Sequence, residues 1–145
     1  MKGRLSWPIF WALLGVFIVI VAIMVGSSLI PAAEDILGGG WFLVIAGILL
    51  LSLGIALLVL AAKEKGGGLT KKFLILTGAS AAGIPVGVVL HNAVYGLFIY
   101  FFGADFWERN GVGDEPVFFI IAIIICPVAF LVGAAGNIVL AIKKR

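Results

Sequence analysis

Four long apolar runs, separated by short polar connectors, dominate this chain of 145 residues. The runs cover residues 7–30, 41–62, 73–102 and 116–142, and all ten basic and all seven acidic side chains lie outside them. Each run is longer than the roughly 20 residues that an α-helix needs to cross about 30 Å of hydrocarbon. Membrane β-strands are segments of about 10 residues with alternating polarity, which these runs do not show. The pattern therefore predicts four transmembrane helices.

The composition indicates a bilayer rather than water as the solvent of this chain. The sequence is 63% hydrophobic and 12% charged, with a mean hydropathy of +1.29. A soluble domain is about 45–50% apolar and about 25% charged. Four spans and their connectors use almost all the residues, so residues 1–145 are expected to form a single transmembrane domain. We predict an all-α fold, an integral membrane antiparallel four-helix bundle.

The charged residues divide unevenly between the two sides of such a bundle. Two basic residues lie in the N-terminal tail, four in the second connector and three in the C-terminal tail, so nine of the ten share one side. Six of the seven acidic residues lie on the other side: Glu34, Asp35, Asp105, Glu108, Asp114 and Glu115. The positive-inside rule therefore predicts N-in/C-in topology, with both termini in the cytoplasm. The expected location is a cell membrane, by default the prokaryotic plasma membrane, with an uncleaved first span.

Small and polar residues recur every four positions along the third predicted helix. Ala79, Gly83 and Gly87 precede His91 and Tyr95, and the five residues form one slowly drifting stripe. Small residues let helix backbones approach closely, which is a main source of helix association in membranes. The small residues of the stripe are expected to form a helix-packing surface, either within the chain or in a homo-oligomer.

A second stripe of small residues runs along the fourth predicted helix, where Ala129 and Gly133 precede Asn137 at intervals of four. At 1.5 Å per residue, Asn137 lies at about the same depth from the basic side as Thr77 and Ser80. We therefore expect the third and fourth helices to pack together through their small residues. The same register predicts a hydrogen bond from Asn137 to Ser80 or Thr77.

A polar cluster of His91, Asn92 and Tyr95 lies near the outer end of the third predicted helix. His91 follows Lys72 by nineteen residues, about 28 Å along a helix axis, which places it close to the outer boundary of the hydrocarbon. Histidine is the one side-chain type whose ordinary pKa, about 6.5, lies near neutrality. The cluster is therefore a candidate ligand-contacting or pH-sensing site. The alternative is a histidine whose hydrogen bonds are satisfied by a neighbouring helix or by the acidic connector.

The residue types offer little for catalysis or metal binding. Cys126 is the single cysteine, which excludes an intrachain disulfide and a CxxC redox pair. One histidine and one cysteine at different depths are too few ligands for a metal site, so no metal, cofactor or catalytic residue is predicted. Nucleic acid is not an expected partner, because no aromatic residues interleave with the basic ones. The expected partners are the lipid bilayer and other membrane subunits or further copies of the chain.

Three classes of function remain open on the sequence alone. The absence of ionisable groups from most of the span length favours a non-catalytic structural or accessory subunit, or a homo-oligomer. The alternative is a passive pore or small-solute carrier, in which a break at Pro85 would supply irregular backbone. Its lining would come from Gly83, Gly87, His91, Asn92, Tyr95 and Asn137. An enzyme acting on a lipid or quinone headgroup would need a second group beside His91, which Asp105 or Asp114 could supply only if the connector folds back.

Overall fold

The computed structural model describes residues 5–29, 40–65 and 68–143, and every regular element among them is helical. Four long helices make up most of this chain: α1 (Ser6–Leu29), α2 (Trp41–Lys63), α3 (Leu69–Phe102) and α5 (Pro116–Lys143). All four are long and apolar enough to cross a membrane. A single turn, α4 (Phe106–Arg109), lies in the connector between α3 and α5. Predictions for residues 1–4, 30–39, 66–67 and 144–145, among them Glu34 and Asp35, lie outside the described residues.

The start of α3 differs from the predicted span, because the helix begins at Leu69, four residues before the third apolar run. The added turn carries Lys71 and Lys72, which are too polar for an apolar run but are good helix formers. Lys71 Nζ donates to the carbonyl oxygens of Ala62 and Glu64, at 2.9 and 2.8 Å. Carbonyls at a helix C-terminus have no partner within the helix, so the lysine joins the end of α2 to the start of α3.

Helix α3 lies between α2 and α5 and packs against both. Positions on α2 and α3 meet in opposite chain order, with Gly47 against Pro85 and Gly54 against Gly78 and Ala82. The two helices are therefore antiparallel. This contact brings glycines of both helices together, which allows their backbones to approach closely.

Helices α5 and α1 complete the arrangement on two sides of the α2–α3 pair. α5 is antiparallel to α3, because Gly133 lies against Thr77 and Cys126 lies against Gly83. α1 packs mainly against α2, and the Phe17 ring of α1 also stacks on a ring of α5, Phe130, at 4.2 Å between centroids. The four helices share one buried apolar cluster: Phe10, Leu13, Phe17, Leu50, Leu57, Ala61, Leu74, Ala81, Phe130 and Ala134.

Helix α5 contains a stretch of irregular backbone. Ile121–Ile125 is a π-helical turn between the α-helical segments Pro116–Ile120 and Cys126–Lys143. The amide of Cys126 donates to the carbonyl of Ile121, five residues back. Pro127 has no amide hydrogen and its ring would clash with the preceding turn of an ideal α-helix, and a wider turn relieves that clash. Helix α3, in contrast, stays α-helical through Pro85, so the irregular backbone lies in α5.

The charged side chains that the structure describes separate to the two ends of the helices. One end, called the basic end below, carries Ser6, Lys63, Glu64, Lys65, Lys71, Lys72 and Lys143. The opposite end, called the acidic end, carries Asp105, Glu108, Arg109, Asp114 and Glu115. At the basic end, the buried Ser6 hydroxyl of α1 donates to the Glu64 carboxylate beyond α2. The functional candidates lie at the acidic end and along the α3–α5 contact.

Candidate functional site

His91 lies on the face of α3 that meets the start of α5, and its side chain is 15% exposed. Its Nδ1 atom is 3.0 Å from the carbonyl oxygen of Glu115 and 3.3 Å from Oε2 of the same residue. Its Nε2 atom is 3.5 Å from Asp114 Oδ2. The acidic connector thus folds back onto α3 and brings Asp114 to the histidine. Asp105 does not take part, because its Oδ2 pairs with Arg109 Nε at 3.0 Å.

The two carboxylates beside His91 also hold the first turn of α5. Glu115 is the N-cap residue: its Oε1 accepts from the Val117 amide at 2.8 Å, and its Oε2 accepts from the Phe118 amide at 3.0 Å. Asp114 Oδ1 accepts from the Glu115 amide at 2.7 Å. Acceptors with negative charge are favourable where a helix leaves its first amides unpaired. Each acid therefore contacts both the backbone at the start of α5 and the imidazole of α3: Asp114 uses one oxygen for each, and Glu115 Oε2 contacts both.

Aromatic rings surround the histidine and hold α4 against the end of α3. The Tyr95 ring stacks beside His91 at 6.4 Å and beside Trp107 of α4 at 5.9 Å, between ring centroids. Phe119 of α5 lies 5.7 Å from the imidazole. The buried Trp107 also donates its indole Nε1–H to the Tyr95 carbonyl at 3.3 Å. These rings exclude water from much of the imidazole and tie the connector to α3.

Asn92 lies outside this group. Its side chain is exposed, and its Nδ2 donates to the Val88 carbonyl of its own helix at 2.8 Å. Of the three residues that the sequence places in one cluster, the structure brings together His91 and Tyr95. It adds Asp114, which the sequence offered as a second group beside His91 only if the connector folds back, and Glu115, which sequence reasoning did not assign to the cluster. The sequence did hold a signal for these two acids in their position. Both directly precede the fourth apolar run, at the same depth as the histidine in the third run.

The α3–α5 contact is closely packed at four glycines, of which Gly136 lies against the Phe73 ring and the other three belong to the predicted stripes. A Cβ atom built at Gly83 would lie 2.8 Å from the Sγ atom of Cys126, and one built at Gly87 would lie 2.9 Å from the Cβ atom of Ala122. On the other helix, a Cβ atom at Gly133 would lie 2.5 Å from Thr77 Oγ1. Real Cβ contacts are longer than this, so no larger side chain fits at these positions without movement.

The other two small residues of the predicted stripes have different surroundings. Ala129 is partly buried, whereas Ala79 is exposed and takes no part in the α3–α5 contact. Ala79 lies between two faces of α3 that both pack on other helices. The contact partners Cys126 and Ala122 were not expected from the sequence, which places them on α5 without indicating which side of that helix meets α3.

Asn137 is a fully buried polar residue in the α3–α5 contact. Its Nδ2 atom lies 3.5 Å from Thr77 Oγ1, at the long limit for a hydrogen bond. The Thr77 hydroxyl donates to the Phe73 carbonyl at 2.8 Å, so its oxygen is the acceptor for the amide. Ser80 instead donates to the Leu76 carbonyl of its own helix at 2.6 Å. Of the two partners that the sequence offers for Asn137, the structure places Thr77 nearer.

The α2–α3 contact is a second close approach, and sequence reasoning missed it. A Cβ atom at Gly54 would lie 2.8 Å from the amide nitrogen of Ala82 and 2.8 Å from the carbonyl oxygen of Gly78. A Cβ atom at Gly78 would lie 2.8 Å from the carbonyl oxygen of Gly54. A signal was present, because Gly78 and Ala82 repeat the small-xxx-small spacing of the neighbouring stripe.

No group of three or more His, Cys, Asp or Glu side chains in a metal-binding arrangement occurs within residues 5–29, 40–65 and 68–143. Comparisons with protein family models, with curated proteins and with solved structures find no match to this chain. Its chemistry therefore has to be argued from its own contacts. Both nitrogens of His91 face oxygen atoms of the same chain, which leaves neither nitrogen directed at a substrate.

Proposed function

We propose that this protein is a multi-pass membrane protein, an antiparallel four-helix bundle that serves as a non-catalytic structural or accessory subunit, or as a homo-oligomer. Four helices of sufficient length and hydropathy support membrane insertion. So does the outer surface, where large apolar side chains are exposed on every long helix, among them Ile18, Ile48, Val89 and Leu131. A soluble monomer rarely exposes such a continuous apolar surface, whereas lipid would cover it.

The distribution of charge supports a topology with both termini in the cytoplasm. The described lysines all lie at the basic end, where the described part of the chain also begins, at Leu5, and ends, at Lys143. Four of the five described acids lie at the acidic end beside a single arginine. Basic residues in short connectors favour the cytoplasmic side during insertion. The basic end is therefore proposed to face the cytoplasm, across a membrane that is by default the prokaryotic plasma membrane.

The close packing of α3 against α5 is the observation that carries the subunit role. A pore or carrier lined by Gly83 and Gly87 would need open space at those residues. The Cys126 and Ala122 side chains occupy it, at distances that leave no room for a methyl group. Asn137, another residue of the alternative lining, is fully buried in the same contact. The close contact between α3 and α5 therefore favours a rigid scaffold over a path for solutes.

The surroundings of His91 favour a non-catalytic role over headgroup chemistry. A general acid or base must present one ring nitrogen to the reacting group. Here Nδ1 faces Glu115 and Nε2 faces Asp114, and the ring itself is enclosed by aromatic side chains. Lipid or quinone substrates would have to displace the carboxylate that caps α5.

Cysteine accessibility in intact cells tests the membrane topology. In a Cys126→Ala background, Lys65→Cys and Glu108→Cys each place one thiol in a connector at opposite ends of the helices. A membrane-impermeant maleimide added outside is expected to label Glu108→Cys and not Lys65→Cys. Labelling of both positions from outside, or of Lys65→Cys alone, would contradict the proposed topology.

Two measurements on the purified full-length chain test the subunit role. Extracted from its native membrane in two mild detergents, the protein is expected to run as an assembly with a protein mass above the 15.2 kDa of one chain. Reconstituted into vesicles, it is expected to pass potassium and glycerol no faster than protein-free vesicles do. A monomer in both detergents, or a flux that rises with protein content, would overturn the proposal.

A further inference from the structure

Both ring nitrogens of His91 face oxygen atoms that can only accept hydrogen bonds. Nδ1 faces the carbonyl oxygen and the carboxylate of Glu115, at 3.0 and 3.3 Å. Nε2 faces the carboxylate of Asp114 at 3.5 Å. A carbonyl has no proton to give, and an ionised carboxylate is an acceptor alone. The ring is therefore placed where each nitrogen needs its own hydrogen.

Neither neutral form of the imidazole meets this requirement. With the hydrogen on Nδ1, the bond to Glu115 is made, but the lone pair of Nε2 points toward the negative Asp114 carboxylate. With the hydrogen on Nε2, the lone pair of Nδ1 faces two oxygens of Glu115. Only the doubly protonated, cationic ring presents a hydrogen toward both acids. The two carboxylates also give that cation opposite charges on both sides.

We propose that His91, Asp114 and Glu115 form a proton-binding latch that fastens the start of α5 and the acidic connector to α3. With the proton bound, His91 joins two acids that are each anchored to the first turn of α5 through a second oxygen. When the ring loses this proton, the Asp114 contact changes from attraction to repulsion and the connector loosens. The inference rests on the geometry of the acidic end and stands whether or not the chain acts as a subunit.

The groups that face the imidazole define the direction of the effect. Asp114 and Glu115 face it from the start of α5, and Tyr95 stacks on it from its own helix. Asp105, which precedes α4, and Arg109, at the end of α4, are paired with each other. The latch is thus expected to be closed while the ring is cationic and to open when the ring becomes neutral. The hydrogen bonds from Trp107 to Tyr95 and from the Val117 amide to Glu115 Oε1 do not involve the imidazole.

Nitrogen NMR of the ring measures the proton directly, because His91 is the single histidine of the chain. The full-length protein, labelled with ¹⁵N in the histidine ring and held in nanodiscs, is measured at pH 7.0. Asp114→Asn is expected to lower the ratio of cationic to neutral ring about threefold, as loss of a partly exposed ion pair implies. Asp105→Asn is the matched control, because it removes the same charge from the same connector away from the ring. Equal ratios in the two variants would overturn the proposal.

Hydrogen exchange of the connector tests the mechanical part of the latch. Amide protection over residues 103–118, corrected for the intrinsic pH dependence of exchange, is expected to fall about threefold between pH 6.0 and pH 8.0. His91→Gln keeps a side chain with hydrogen-bonding groups that does not titrate, so its protection is expected to be equal at the two pH values. Asp105→Asn is expected to keep the behaviour of the unmodified protein. A pH-dependent loss that persists in His91→Gln would show that another group controls the connector.

Discussion

Replacement of Gly54 by alanine tests whether α2 and α3 touch through their backbones. The added methyl group would lie 2.8 Å from the Ala82 amide nitrogen and 2.8 Å from the Gly78 carbonyl oxygen. Both atoms belong to the backbone of α3, so no side-chain rotation can make room and the helices have to separate. Overpacking of this kind typically costs about 1–3 kcal/mol. In an open helical position the same change removes a flexible glycine and stabilises by roughly 0.5–1 kcal/mol.

Gly96→Ala in α3 is the matched control, since a Cβ atom there meets nothing within 4 Å. The free energy of unfolding is measured for both variants by SDS titration in dodecyl maltoside micelles, followed by the fluorescence of the four tryptophans. Gly54→Ala is expected to be less stable than Gly96→Ala by about 1–3 kcal/mol. Gly78→Ala, which meets the Gly54 carbonyl at 2.8 Å from the other side, is expected to lose a similar amount. If Gly54→Ala is as stable as the control, the backbones do not approach as described.

Three further substitutions test other contacts, the first two by the same unfolding titration and the third by amide hydrogen exchange. Asn137→Leu is expected to lower the free energy of unfolding by about 0.6 kcal/mol and by no more than roughly 2, because the hydrogen bond of Asn137 is long. A variant that is more stable than the unmodified protein by over about 1 kcal/mol would contradict the pairing. Phe130→Ala removes a fully buried ring and is expected to lower the free energy of unfolding by about 3–5 kcal/mol. The control, Leu131→Ala at an exposed position, is expected to change it by no more than about 0.5 kcal/mol. Similar losses of stability in the two variants would place Phe130 outside the core. Lys71→Met removes two hydrogen bonds to carbonyls at the end of α2 and is expected to raise amide exchange of residues 62–65; unchanged exchange would show that water satisfies these carbonyls equally well.

The long helices were predictable because each apolar run exceeds the length of a span and is bounded by charge. The described bounds of α2 and α5 lie within one residue of the second and fourth runs, at Trp41–Lys63 and Pro116–Lys143. Hydropathy could not predict the start of α3 at Leu69, because the two lysines in its first turn contribute helix propensity and no hydrophobicity. It also could not locate the irregular backbone, since Pro85 and Pro127 look alike in sequence and only the packing around each decides how its helix responds.

The candidate site was predictable in part because spacing along one helix reports which residues share a face. His91 and Tyr95, four positions apart, do stack. Asn92 is adjacent to His91 in the chain and therefore points about 100° away around the helix, where it is exposed. The acids that complete the site lie 23 and 24 positions beyond His91 in the chain, at Asp114 and Glu115. Their proximity depends on how the connector folds back, and periodicity holds no information about that.

The position of α3 between two helices explains why its sequence differs from the other three. In its most apolar stretch of 18 residues, α3 has a mean hydropathy of 2.0, against 2.9 to 3.0 for the other three long helices, and 39% of that stretch is buried, against 22% to 28%. One face approaches α2 through Gly78 and Ala82, and the adjacent face approaches α5 through Gly83 and Gly87. Two close approaches on one helix require two stripes of small residues, and these replace the large apolar side chains that the other three long helices keep. The low hydropathy of α3 thus follows from its position between two helices, and no solute path is needed to explain it.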